Sequence, residues 1–373
     1  MKRKAKASCA QVRAPPEPPQ NPFQGLALFD ADFGNGPTGL TSSVLRQGLA
    51  HAYCIARPRR AITTTDTISF LLVDVSVIIP VYNDIARLAL CLRALARQSY
   101  PADRFEIIVV DNGATPAVAQ TLAELYPRVT FAFEPAPGSY AARNRGIELA
   151  RGRIIAFTDS DCIPAADWIE SGVAALATTA NCGLVAGRIE FFYTNPEKPN
   201  AAELFERVSG FPQEKYIVEL HYGATANVFT SADVIRKVGP FNPKLGSGGD
   251  REWGERVYAA GYAQIYVPGV VVRHPTRASL RELIRKRRRT TGGVVWFMWR
   301  LHRPFGRAHW IRRTLRFVVE RIVPSRRELA KLWRDEHLTR TSERIKVVLV
   351  KFLMSFTVAC EYARVAFGGA PKR

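Results

Sequence analysis

Four short apolar runs, set apart by stretches of helix length, limit what this chain can fold into more than any other feature. They are Val75 to Pro80, Glu106 to Val110, Val129 to Phe133 and Ile154 to Phe157. Each has the length and branched content of a buried strand, and polar or turn-forming residues follow each one. Between them, Leu88, Leu92 and Leu95 mark one face of a helix from Ile85 to Arg97, with Asp84 as its N-cap. A second helix is expected from about Pro116 to Tyr126, and a third from Tyr140 to Ala150, stopped by Gly152. Strands and helices alternating at this spacing make βαβ units and a parallel sheet, hence an α/β fold. Ligands of such sheets collect at the carboxyl ends of the strands. Asp111, Asp159 and Asp161 are thereby brought to one edge, although they lie far apart in sequence.

The fourth run reads into Thr158-Asp159-Ser160-Asp161, and Pro164 stops it. Two carboxylates so close repel each other in a partly dry crevice unless a cation sits between them. A divalent metal carrying a diphosphate satisfies both, since Mg²⁺ or Mn²⁺ takes one or two carboxylates together with phosphate oxygens. A solvated acidic turn is the plainer alternative, and the rest of the chain has to decide between them.

Beyond Pro164 the pattern is less regular. A helix is expected from Asp167 to Thr178 and a strand from Gly183 to Phe192, then a long connection from 193 to 222. Ala224 to Thr230 reads as a strand, and Ser231 caps a short helix to Val238. The loop Gly246-Ser247-Gly248-Gly249 leads into Asp250 and a helix ending at Gly261. Ala263 to Val267 and Val270 to His274 read as two short strands. Residues 1 to 72, with clustered prolines and no sustained period, read as a disordered extension. The six cysteines show no C-x-x-C pair and no metal-ligand spacing, which points to a reducing compartment and away from a disulfide framework or zinc site.

The ordered series in this chain resembles the nucleotide-sugar half of family 2 glycosyltransferases, which have the GT-A fold. Its members are Val75 to Pro80 with Tyr82-Asn83, Val109 to Gly113, Gly138 to Ile147 and Asp159-Ser160-Asp161. The likeness continues through Asn227, Val238-Gly239-Pro240-Phe241 and Gly249 to Trp253, covering about residues 75 to 290. It implies a GT-A type, Rossmann-like, mostly parallel sheet flanked by helices. The catalytic domain would span 73–279, with a nucleotide-sugar half (73–164) and an acceptor half (165–279), followed by a basic helical C-terminal extension (280–373). The resemblance gives Pro80, Tyr82, Asp111, Arg143 and Asp159 to the donor nucleotide. It gives Asp159, Asp161 and His274 to a divalent metal, Mn²⁺ or Mg²⁺, and Asn227 and Trp253 to the acceptor. Asp250 matches the family's general base, with Glu252 as rival, and a single base implies inversion at the anomeric carbon. The family more often has an acidic residue where Gly249 stands. For several of these residues a structural role competes: Asp111 capping a turn, Arg143 on a solvated helix, Trp253 in the core, His274 in the scaffold. The processive synthases' Q-x-x-R-W motif and transmembrane helices are not found, which implies one sugar per binding event. A sugar nucleotidyltransferase is a second reading of this architecture, but no G-x-G-T-R-type loop follows the first strand.

Charge separates the last quarter from the rest. Of a net +20, residues 273 to 373 carry +19, against −3 for residues 75 to 272. Arg281 to Arg289, the neighbouring Trp296, Phe297 and Trp299, and the arginines to Arg313 together read as an interfacial segment on anionic lipid. In the last helix, Val348, Leu349, Phe352, Leu353, Phe356, Ala359, Cys360, Ala363, Ala366 and Phe367 share one face, which fits lipid or protein alike. The same cations make nucleic-acid binding a competing class. The expectation is a cytoplasmic enzyme lying peripherally on the inner face of the cell membrane, with a nucleotide-diphosphate sugar as donor, a glycan or lipid-linked acceptor, and no nucleic acid.

Overall fold

The computed structural model describes residues 73–113, 122–302 and 307–370, with the side chains of 296–302 and 307 excepted. The expected disordered stretch 1–72 and most of the helix expected from Pro116 lie outside the described residues, as do the side chains of Trp296, Phe297 and Trp299.

The first half follows the spacing read from sequence. Strands β1 (Val75–Val81), β2 (Phe105–Asp111) and β3 (Val129–Phe133) pair in parallel, and β4 (Ile154–Thr158) joins β1 on its other side. Helices α1 (Ile85–Leu95) and α2 (Ser139–Leu149) cover opposite faces. The alternate residues Val75, Val77, Ile79 and Val81 pack with Leu88, Leu92 and Leu95 of α1, while Ile78 packs with Tyr140 of α2. Pro80 does not end β1 as expected. The ladder with β4 stops at Ile78↔Phe157, so no partner strand asks for the N–H that proline lacks. β1 therefore continues to Val81, opposite Asp111.

The second half adds β5 (Ile163–Pro164), α3 (Trp168–Thr178), β6 (Cys182–Phe192), α4 (Ala201–Ser209), α5 (Gln213–Leu220), β7 (Asn227–Ser231), α6 (Ala232–Val238), α7 (Gly249–Ala259) and β8 (Ala263–Pro275). The eight described strands form one sheet in the order β3-β2-β1-β4-β7-β6-β8-β5. β7 runs antiparallel to both β4 and β6. The stretch expected as a connection holds two helices. α4 is opened by a capping box in which Asn200 and Glu203 satisfy each other's backbone N–H groups. The two strands expected between Ala263 and His274 are one, bent by an irregularity where Gly187/Arg188 of β6 faces Val267/Val271.

Four further helices follow: α8 (Leu280–His302), α9 (Arg307–Ile322), α10 (Arg326–Trp333) and α11 (Thr341–Ala366). They are welded to the sheet's helices. Leu283, Leu332, Leu338, Val347, Val350 and Met354 share a core with Ala202, Leu204 and Phe205 of α4. Buried Glu206 takes both Arg277 and Lys286, and buried Glu361 takes Arg288 and Arg364. Much of the basic stretch read as facing lipid is thus turned inward, because sequence offers no sign that Glu206 and Glu361 are its partners. α11 is also apolar on more sides than expected. It buries Val347, Val350, Met354, Val358, Tyr362 and Val365, while the expected face exposes Leu349, Phe352, Phe356, Cys360 and Phe367.

Candidate active site

The site is built at the carboxyl edge of the parallel strands, where β2 ends on Asp111 and β4 runs into Asp159 and Asp161. Arg143 is fully buried on α2, and its Nη2 donates to Asp159 Oδ1 at 2.6 Å. It is no solvated helix arginine. Burial pushes the Asp159 carboxyl well above the ordinary range against the pull of Arg143, and the charges of Asp161 and Asp250 push the same way as burial. Asp159 Oδ2 and Asp161 Oδ1 are buried without a hydrogen-bond partner among the described residues.

His274, at the end of β8, completes this cluster. It is buried between Phe191 and Phe211, with ring centroids 5.4 Å away in each case. Its Nδ1 lies 2.7 Å from the Pro275 carbonyl, which can only accept, so the ring proton belongs on Nδ1. Nε2 then keeps its lone pair and points toward Asp161 Oδ2, 3.6 Å away, with no hydrogen bond of its own. A carbonyl-oriented imidazole beside open carboxylate oxygens is the arrangement that metal-binding histidines adopt. Asp161 and His274, each with a buried unsatisfied acceptor, stand close enough to share a hard divalent cation, and Asp159 Oδ2 is open two residues before Asp161. Cys162 forms a group with Asp161 and His274, their ligand atoms all within 4.8 Å of one another; Asp159 stands outside that group, and the sequence pattern gave no sign of the thiol. Burial and then the neighbouring carboxylates push its thiol well up, so it offers S–H rather than thiolate.

Asp250 faces this cluster from the first turn of α7. It is buried, and its Oδ1 accepts from Thr225 Oγ1 at 3.1 Å. Burial raises its pKa, opposed by Arg143 and the Thr225 bonds. Glu252 points elsewhere and holds Arg256 at 2.9 Å along the same helix. Gly249 has a steric reason for its place here. A Cβ there would lie 2.7 Å from the Tyr140 ring, so the space an acidic side chain would need is taken. The Asp250 N–H lies 3.4 Å from the Tyr140 hydroxyl in return.

The remaining expected residues divide. Asp111 is buried and its Oδ1 accepts from Gly113 N at 2.9 Å, so it does close the turn after β2. Tyr82 is 45% exposed just beyond β1, beside Asn83 with its left-handed φ of 52°. Asn227 and Trp253 have almost no surface to offer an acceptor. The Asn227 amide donates to Arg188 and Val270 carbonyls and accepts from Trp168 Nε1, tying β7 to its neighbours. Trp253 is 1% exposed, packs on Phe241 and donates to the Gly239 carbonyl. Both belong to the scaffold.

Comparison with known proteins decides the class. The family model "Glycosyl transferase family 2" matches residues 76–238. Glycosyltransferase AglE of Haloferax volcanii is 39% identical over 255 residues, 66% of this chain and 81% of the relative. The chain belongs to glycosyl transferase family 2. This glycosyltransferase is therefore an enzyme that uses a nucleotide-sugar donor, in an inverting family. The sugar nucleotidyltransferase reading falls with that. The pre-mycofactocin glycosyltransferase of Mycobacterium tuberculosis is 29% identical over 57% of the chain and 45% of the relative. Among solved structures, the mannosyltransferase PcManGT from Pyrobaculum calidifontis, in complex with GDP-Man and Mn²⁺, has 20% identity and a TM-score of 0.45. That match covers 79% of this glycosyltransferase and 76% of the neighbour. TarS of S. aureus in complex with UDP-GlcNAc has 18% identity and a TM-score of 0.41, over 55% and 59% of the two chains. Within the described residues of this glycosyltransferase, no helix is long and apolar enough to cross a membrane.

Proposed function

We propose that this enzyme moves one sugar per binding event from a nucleoside-diphosphate sugar to a hydroxyl of a glycan or lipid-linked acceptor, by single displacement with inversion. The observation that carries the reading is the pairing of Asp161 with His274, each keeping a buried open acceptor, two residues from the Asp159–Arg143 ion pair, where Asp159 Oδ2 is open too and Asp250 is within electrostatic reach. Asp159, Asp161 and His274 would hold Mn²⁺ or Mg²⁺, with Asp161 and His274 as the principal ligands. When bound, the metal neutralises charge on the donor diphosphate. Asp111, Pro80 and Tyr82 border the nucleotide, and the Asp111 carboxylate would accept a base N–H there. Asp250 takes the proton from the acceptor hydroxyl as that oxygen bonds to the anomeric carbon. The bond from that carbon to the β-phosphate oxygen breaks, and its electron pair leaves with the diphosphate. Thr225 holds the Asp250 carboxylate in place, and its raised pKa makes it a stronger base than an exposed aspartate.

The acceptor works at an anionic membrane surface on this reading. Ile345, Leu349, Phe352, Phe356 and Phe367 form an exposed stripe along α11, and Ile311, Leu315, Val319 and Ile322 form another along α9, beside exposed Arg312 and Arg316. A second copy of so cationic a chain would be repelled by this surface, whereas an anionic bilayer would be attracted to it.

A donor screen with Mn²⁺, following nucleoside diphosphate release, tests the reaction. Turnover is expected with at least one nucleotide sugar, and its loss with a chelator or in Asp161→Ala. Activity surviving both treatments would sink the metal-dependent mechanism.

A further inference from the structure

Helix α8 does more than begin the C-terminal region. It lies on the loop that leads to Asp250, and Gly293 allows the approach: a Cβ there would stand 3.1 Å from Ser247 Cβ and 3.3 Å from Ser247 N. One turn earlier on the same side of the helix is Arg289. Its Nη1 donates to the Gly246 carbonyl at 3.3 Å, which fixes one arm of the guanidinium to the loop. Its Nη2 is buried and makes no hydrogen bond among the described residues. The charge lies within electrostatic reach of Asp250, Asp159 and the Tyr140 hydroxyl. Burial and then Arg277 lower its pKa to about 10, which leaves it a cation at neutral pH. Neither Asp159 Oδ2 nor Asp250 has been taken up as its partner. A buried donor left open beside two carboxylates is costly unless a third group fills the gap.

We propose that Arg289 Nη2 binds a phosphate oxygen of the donor diphosphate and is a catalytic residue contributed by the C-terminal helices. The inference rests on the donor reading above. A planar guanidinium with one anchored arm presents its free N–H groups in a fixed direction, as phosphate recognition favours. When the anomeric C–O bond breaks, the electron pair settles on the diphosphate, and Arg289 stabilises that charge. α8 then links the seating of the tail to the strength of donor binding. Sequence alone placed Arg289 with a lipid-facing cluster, because nothing in a run of arginines says which one turns inward.

The test is calorimetric binding of UDP, UMP, GDP and GMP, with Mn²⁺, to the full chain and to Arg289→Ala and Arg289→Lys. Wild type is expected to bind one diphosphate more tightly than its monophosphate. Arg289→Ala is expected to lose about 10-fold or more in affinity for that diphosphate, with the monophosphate changed by less than about 2-fold. Arg289→Lys keeps the charge but loses the fork, so partial recovery is expected; it also carries the test should the alanine variant misfold. An unchanged diphosphate preference in both variants overturns the role of Arg289 while leaving the donor reading intact. Equal losses for mono- and diphosphate overturn it too, as they would mean a general disturbance of the loop. Failure of wild type to bind either diphosphate would overturn the donor reading, and this inference with it.

Discussion

As the proposed base, Asp250 is caught between its role and its surroundings. The carboxylate must be ionised to accept a proton, yet burial favours the neutral acid. Its stabilising contribution is therefore present at acid pH and lost as pH rises through the raised folded pKa. Asp250→Asn is expected to lower turnover by about 10²-fold or more. The same variant should melt no lower than wild type at pH 8, a comparison that scanning calorimetry makes directly. In wild type, kcat/KM should rise with pH through a midpoint above the ordinary carboxylate range; a flat profile across the acid side would count against Asp250 as the base. His274→Gln is expected to weaken Mn²⁺ binding by at least about 10-fold with the fold retained, read by metal titration and circular dichroism. Both residues were nominated by motif order, because the proposed chemistry constrains their type and place. Thr225, Cys162 and Arg289 were not, since a hydroxyl, a thiol or one arginine of several carries no signature until the fold shows what it faces. Asn227 and Trp253 misled for the opposite reason: residues that resemble acceptor contacts are occupied by Arg188, Val270 and Trp168, or by Phe241.

Elements were legible where one face is buried and the period is clean. β1 to β4 and α1 to α2 fall within a residue or two of the spacing read from sequence, and only Pro80 misplaced an end. The stretch from 193 to 222 hid α4 and α5 because Pro196, Pro199 and Pro212 divide it into short pieces, although Ala201, Ala202, Leu204, Phe205 and Val208 keep a helical period behind the Asn200–Glu203 capping box. α4 nevertheless does much of the joining. Its Glu206, 1% exposed, gathers Arg277 before α8 and Lys286 within it. Removing a buried carboxylate that holds two cations typically costs about 3 kcal/mol or more. Glu206→Ala is expected to show a loss of that order in urea unfolding and to weaken donor binding as α8 loosens. A change below about 1 kcal/mol would mean that the apolar cluster around Phe205 alone seats the tail. At the other end, Glu328 is pulled down to about 2 by Lys351 and the Ser325 cap against its partial burial, so this contact between α10 and α11 is expected to fade only as the pH falls through about 4.5 toward 2.

Across the whole molecule, charge and apolar surface are sorted. The middle of the chain is slightly acidic and holds the candidate site, while the last quarter is strongly basic and is divided in use. Some of its cations turn inward onto Glu206 and Glu361. Others stay outside beside apolar stripes on α9 and α11. The α11 stripe from Ile345 to Phe367 runs about 33 Å at 1.5 Å per residue, and it is its confinement to one side of the helix, not its length, that suits a helix lying along a surface. Phe352→Glu with Phe356→Glu is expected to abolish sedimentation with anionic vesicles and to leave turnover on a soluble acceptor intact. Equal sedimentation of variant and wild type would contradict the membrane reading. Composition announced this surface only as a sum, because the face left uncovered depends on which helices pack on which. Mn²⁺ titration followed by electron paramagnetic resonance probes the metal and diphosphate seat proposed at Asp159, Asp161 and His274. Wild type is expected to bind one Mn²⁺ more tightly when the matching nucleoside diphosphate is present, and Asp161→Asn to lose that binding. Mn²⁺ bound as tightly by Asp161→Asn as by wild type would contradict the account.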